Sequence, residues 1–294
     1  ACDYRDTATE YRTGKKRFQC SKTMGPAMPT VNTNNGQLHY DLVDTTPPWV
    51  ESPETILFHH GVATNSGIWG SWIPELSDKY RILTFDVRGY GRSHIPGKDF
   101  EWSFEDLAQD VMAIADVAEA KNFHFVGESM GGAMGLYLGR YHPKRLLSLT
   151  PCTSPYNGGK VQWLAEWRDF ITKNGMKGWS KRMMERRFFP HGISKNAEKW
   201  FASTQESCSP HSVLGHGEML LNVDLTSELQ SITKPVHLIA ADSSPFLPLA
   251  TTLDIHNSLP NSEMSVIANA RHGVVFSHSK LCAQSMRTFI EHLR

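Results

Sequence analysis

Gly127-Glu128-Ser129-Met130-Gly131-Gly132 is a G-x-S-x-G run with one further glycine, placed between a short apolar stretch and a helical pattern. Small residues on either side of the serine permit a very tight turn, which holds the serine in a strained conformation and lifts its hydroxyl clear of the backbone. The N-terminus of the following helix aims amide groups at any oxyanion formed there. A serine at its free pKa is a poor nucleophile, so this chemistry also needs an imidazole within hydrogen-bond reach and a third group to orient it. The chain offers 14 histidines from which that base must come.

The elements that would position such a site are legible around it. Asn34-Asn35-Gly36 signals a turn, and residues 37–43 alternate as a half-buried strand does. Residues 55–58 and 81–85 are short apolar runs suited to strands covered on both faces. Between them, Trp69, Trp72, Ile73 and Leu76 predict a helix over 68–79. Ser103, with Asp106 three residues on, starts a helix whose face carries Leu107, Val111, Ile114 and Val117. Strands follow at 124–127 and 145–149, with a helix between them that Pro143 stops. This alternation implies a mostly parallel α/β sheet with helices on both faces.

The rhythm breaks from about Pro155 to Asn222, where apolar residues recur at helical spacing and half of the tryptophans gather. We read 155–222 as an inserted helical cap, 31–154 and 223–294 as the α/β core, and 1–30 as a polar N-terminal arm. The βα pattern resumes with strands at 236–240 and 264–267 and helices at 249–259 and from Ser279.

Composition excludes several functions. The 294 residues carry 30 basic and 30 acidic side chains, so no electrostatic case exists for nucleic acid or an anionic membrane surface. No apolar stretch approaches the ~20 residues that span a bilayer. The 5 cysteines are odd in number and widely spaced, which indicates neither a metal site nor a disulfide framework and fits reduced thiols in the cytoplasm. No cofactor is implied. The neutral total conceals an asymmetry: 155–222 holds 10 Lys and Arg against 6 Asp and Glu.

Phe58-His59-His60-Gly61, Phe85-Asp86-Val87-Arg88-Gly89-Tyr90-Gly91-Arg92-Ser93 and Gly127 to Gly132 together resemble the α/β-hydrolase fold superfamily, in order and spacing. Within it the chain is most similar to the 3-oxoadipate enol-lactonase-like branch. The resemblance implies Ser129 as nucleophile and His272, before Gly273, as base. It also implies that the backbone amides of Val62 and Met130 form the oxyanion hole. His59 and His60 are then loop residues, and the charges in the 86–93 run are structural.

At the position of the family's acid, an ungapped alignment of Ala241-Asp242-Ser243-Ser244-Pro245 places Ser244. Three readings stay open. Asp242 supplies the carboxylate from a shifted loop, which is our working assignment; or Ser244 orients His272 as a neutral acceptor; or the site is weakened.

A serine at the elbow points to acyl transfer on an ester or lactone, whereas dehalogenases and epoxide hydrolases on this fold need an aspartate there. The expected partner is a hydrophobic or aromatic small molecule, with Trp163, Trp167, Met184 and Phe188 of the cap as its contacts. Lys181-Arg182 and Arg186-Arg187 either attract a substrate carboxylate or form a solvated helix face. Two competing functions use the same residues: a C–C bond hydrolase, and a receptor-like ligand-binding protein with little turnover.

Overall fold

The computed structural model describes residues 29–293; the expected arm, with Cys2 and Cys20, lies almost wholly outside them. Eight strands form one sheet: β1 (Thr30–Thr33), β2 (Gly36–Val43), β3 (Thr55–His59), β4 (Arg81–Phe85), β5 (Phe123–Glu128), β6 (Leu146–Cys152), β7 (Val236–Ala241) and β8 (Ser262–Ile267). Their order is β1-β2-β4-β3-β5-β6-β7-β8. Only the β1–β2 and β2–β4 pairs are antiparallel. Strands β3, β5 and β7 are buried along their whole length, as their largely apolar sequences favour, and His59, His124, Glu128 and His237 are buried with them. The Asn34-Asn35 turn closes a β1–β2 hairpin in which Thr33 faces Gly36, so the turn signal marked a strand on its N-terminal side as well.

Helices α1 (Ile73–Leu76), α2 (Phe104–Val117) and α3 (Met130–Tyr141) fall between the early strands. The predicted helix over 68–79 is instead a 3-10 turn, Ser66–Trp69, followed by the single turn of α1. Asn65 caps the first piece by accepting from the Gly67 amide, and Pro74, which has no N–H, is placed in the opening turn of the second. Ser103 caps α2 as expected, its Oγ accepting the Asp106 amide at 3.1 Å.

Between β6 and β7 the chain forms no strand and carries α4 (Trp167–Arg187), α5 (Lys195–Glu206) and α6 (Pro210–Leu221). Helix α4 is interrupted at Gly175, whose φ of 64° and ψ of −179° lie outside the helical region. Helices α7 (Leu249–Ser258), α8 (Val274–Ser277) and α9 (Ser279–His292) complete the order. Catalytic-type loops therefore collect at the C-terminal ends of β3, β5 and β7 and after β8, the end where open α/β sheets bind ligands.

Candidate active site

Ser129 stands between the last residue of β5 and the first of α3, with φ 54° and ψ −111°. A non-glycine residue held at positive φ is strained, and its neighbours over-determine the position. A Cβ on Gly127 would lie 2.1 Å from the Gly131 carbonyl oxygen, and one on Gly131 would lie 2.2 Å from that of His59. Glycine at both places is what lets strand, turn and helix meet this closely. The Ser129 amide donates to Cys152 O at 2.9 Å, which pins the turn to β6. Met130, as the first residue of α3, has an amide with no intrahelical partner.

His272 reaches the elbow from the loop between β8 and α8. Its Nε2 lies 3.0 Å from Ser129 Oγ, and Thr153 Oγ1 donates to its carbonyl at 3.3 Å. Its other ring nitrogen meets a hydroxyl: Ser244 Oγ is 3.2 Å from Nδ1. The Leu247 amide also donates to Ser244 Oγ, at 3.3 Å, and Phe246 packs edge-on against the imidazole with centroids 4.8 Å apart. Burial first, and the Arg187 charge second, hold the His272 pKa well below the usual histidine range.

Asp242 is not at His272. Its carboxylate is exposed and accepts the amides of Asn269, at 2.9 Å, and Ala270, at 3.0 Å. Those two amides hold its pKa below the ordinary aspartate value. The working assignment of Asp242 as the orienting acid is therefore corrected: it braces the turn that precedes His272, while the serine two residues later faces the ring. The reason is strand-end geometry. Asp242 leaves β7 toward the neighbouring β8 loop, with its amide bonded to Ile267 O, and the chain has to travel two further residues to come under the imidazole.

His59 ends β3, and His60 opens the loop after it and holds that loop in place. His60 Nε2 accepts the Val87 amide at 2.8 Å, and its Nδ1 contacts Gly61 O at 2.8 Å. Burial lowers its pKa to about 4, which keeps it neutral and able to accept. It thereby fastens the segment carrying Val62 to the loop after β4. Asp86 in that loop accepts Ser66 N, Ser66 Oγ and Arg92 N at 2.9, 2.6 and 2.9 Å, and Arg88 is buried against Asp110. The charges of the 86–93 run thus support loops.

Val62, Ser129, Pro155, Val161, Leu164, Trp167, Arg187, Leu220, Phe246, Leu247 and His272 enclose a cavity of about 20 Å³. Of the four cap residues expected at the substrate, Trp167 is among them. Met184 and Phe188 line a different and much larger groove of about 890 Å³ on the α4–α5 side of the cap. Trp163 is 46% exposed, with the Arg186 guanidinium 4.6 Å from its ring centroid. Helical spacing identifies the residues of a cap but not which side of it faces the site.

Two further residues escaped sequence reasoning. Glu128, the variable residue of the elbow motif, is buried with Oε1 3.8 Å from His272 Nε2 and 3.3 Å from Arg187 Nη1. Burial raises its pKa against the pull of Arg187. Arg187 stood in the sequence as one of four clustered basic residues, yet it is only 3% exposed. Apolar neighbours on the same helix, Met183 and Met184, give no sign that the guanidinium turns inward.

Among the described residues no helix is long and apolar enough to cross a membrane. Residues 54–279 match the family model described as alpha/beta hydrolase fold. The 3-oxoadipate enol-lactonase 2 of Acinetobacter baylyi is 25% identical over 232 residues, covering 76% of this chain and 86% of that protein. A putative carbamate hydrolase RutD of Agrobacterium fabrum is 25% identical over 264 residues, covering 86% of this chain and 98% of its own. Among solved structures, the enol-lactonase from Burkholderia xenovorans LB400 superimposes with a TM-score of 0.81 at 18% identity, over 90% of this chain and 100% of that one.

Proposed function

The chain belongs to the α/β-hydrolase fold family, and from that premise we propose that it is a serine hydrolase acting on an ester or lactone bond of a small, largely apolar molecule. The observation that carries this reading is the 3.0 Å contact between Ser129 Oγ and His272 Nε2 at a strained strand–helix elbow. In the productive tautomer His272 carries its proton on Nδ1, which donates to Ser244 Oγ, and Nε2 accepts from Ser129. Attack of Oγ on the acyl carbon passes the serine proton to Nε2 and places negative charge on the carbonyl oxygen. The amides of Val62 and Met130 receive that oxygen. His272 then gives its proton to the leaving alcohol, and the acyl-enzyme is hydrolysed by a water that His272 deprotonates.

Ser244 limits this machinery. A hydroxyl orients the imidazole but brings no negative charge to the imidazolium, and loss of the acid in a serine triad costs about 10⁴ in turnover. A low-turnover, ligand-binding protein is the second reading, and the neutral group on Nδ1 is the observation that favours it. Both readings meet one experiment. A fluorophosphonate should label the wild type at Ser129, and Ser129→Ala should abolish hydrolysis of short esters and lactones. Hydrolysis surviving in Ser129→Ala would sink the first reading. Absence of turnover across such a panel, together with tight binding of one ligand, would establish the second.

A further inference from the structure

Arg187 ends α4, and it meets all three segments that build the site. Nη2 donates to Val62 O at 3.0 Å, in the loop after β3. Nη1 donates to the Glu128 carboxylate at 3.3 Å, one residue before the nucleophile. The Arg187 carbonyl accepts the amide of Gly273 at 3.0 Å, one residue after the base. Contact at the last point is close: a Cβ on Gly273 would lie 2.4 Å from Phe188 Cε1 and 3.1 Å from the Arg187 oxygen. One cap residue thus ties together the oxyanion segment, the elbow and the base loop.

A buried ion pair is an expensive way to hold a cap down, because desolvation cancels much of its attraction and an apolar pair often does as well. What the guanidinium supplies, and an apolar side chain would not, is direction. Its bond to Val62 O fixes the plane of the peptide that follows Val62, and with it the course of the loop that brings Val62 to the cavity.

The cavity beneath it is about 20 Å³, whereas sites for small organic ligands run to roughly 300–1,000 Å³. Ser129 is half-buried, but a cavity this small has no room for an ester of ordinary size, and an outward shift of the cap that made room would carry Arg187 with it. Gly175, the break in α4, separates the segment bearing Arg187 from the start of that helix.

We propose that Arg187 is a positioning residue through which closure of the cap assembles the catalytic site, setting the Val62 peptide and the His272 loop only when the lid is shut. The proposal rests on the serine-hydrolase reading for its rate effects, but its structural consequence can be measured without turnover.

The test compares wild type with Arg187→Lys, Arg187→Met and Arg187→Met/Glu128→Gln, the double variant leaving no unpaired buried charge. Folding is checked by thermal melting. With p-nitrophenyl acetate, kcat of the double variant should fall about 10²-fold, the scale of losing one oxyanion donor. KM should change less than about threefold if Arg187 acts through the Val62 peptide rather than on the ester itself. Arg187→Lys should keep more of kcat than Arg187→Met, because a cation can still donate to Val62 O and Glu128, which a role in packing alone does not predict. Amide exchange at Val62, Ala63 and Gly273 should accelerate in every variant, least in Arg187→Lys. A folded variant with wild-type protection at those amides overturns the proposal, whatever its rate. A folded double variant with wild-type kcat overturns it equally. If even the wild type hydrolyses nothing, the serine-hydrolase reading fails while the exchange measurement still decides this one.

Discussion

The elbow after β5 and the loop after β7 both leave the C-terminal ends of parallel strands, and they approach His272 from opposite ring nitrogens. At the elbow every local feature agrees: flanking glycines, positive φ at the serine and a helix start directly behind it. The loop after β7 keeps the shape of its role and lacks the charge. Ser244 is where an orienting group belongs, 3.2 Å from Nδ1, while the nearest carboxylate in sequence is turned toward Asn269 and Ala270. The scaffold thus fixes where a group must stand independently of whether it is ionised. Position follows from strands and turns; charge depends on a single side chain.

The largest effect expected from testing this contrast comes from the elbow. Gly131→Ala drives a methyl group to within 2.2 Å of His59 O, a backbone atom that cannot step aside cheaply. We expect a loss of several kcal/mol, of the order of ~3, or failure to fold, read by chemical denaturation. A variant as stable as wild type would show that the elbow is looser than its geometry indicates.

Supplying the missing charge comes next. Ser244→Asp should raise kcat/KM by about 10- to 10³-fold, short of the ~10⁴ associated with an ideal acid. It should also move the acidic limb of the pH–rate profile upward, because a carboxylate on Nδ1 favours the imidazolium. In the wild type that limb lies below pH 6.5: His272 acts as a base only when neutral, and burial and Arg187 keep it neutral to lower pH. Glu128, its other charged neighbour, stays the same in both proteins. An unchanged profile in Ser244→Asp would mean that the new carboxylate does not reach the ring.

Stability should depend on pH through the same burial. His59 and His216 are lowered to about 3, His60 and His237 to about 4, and His272 also falls well below its ordinary value. Their folded pKa values are depressed, so below pH 6.5 the unfolded chain binds protons that the native state refuses. Stability is therefore full above about pH 6.5 and is lost as pH falls from there toward about 3. Urea midpoints at pH 7, 6 and 5 should decline progressively; a flat series would mean that these rings protonate without unfolding.

The smallest effect belongs to Asp242→Asn. Its exposed carboxylate holds two backbone amides, so we expect a cost of about 1 kcal/mol or less and a rate within about threefold of wild type. A loss of several orders of magnitude would return Asp242 to His272 and erase the contrast between the two loops.

The sequence by itself determined the alternation of strands and helices from β2 onward, apart from 68–79, and named the serine and histidine that stand 3.0 Å apart. Buried parallel strands are written as short, largely apolar runs, and the elbow demands small residues at fixed offsets, so both leave local signatures. It did not reveal that 68–79 splits into two short turns, because Trp69, Trp72, Ile73 and Leu76 keep helical spacing across a break that Gly70 and Pro74 mark. It placed Ser244 at the acid position by alignment, but only the tertiary structure decided between that residue and Asp242. The direction a side chain takes on leaving β7 depends on the neighbouring β8 loop, which is distant in sequence. The same holds for the cap: which residues of α4 face the cavity, and the inward turn of Arg187 onto Glu128 and Val62, are contacts between segments some 60 and 125 residues apart. No local pattern encodes such a meeting, since it is set by how the inserted helices pack over the sheet.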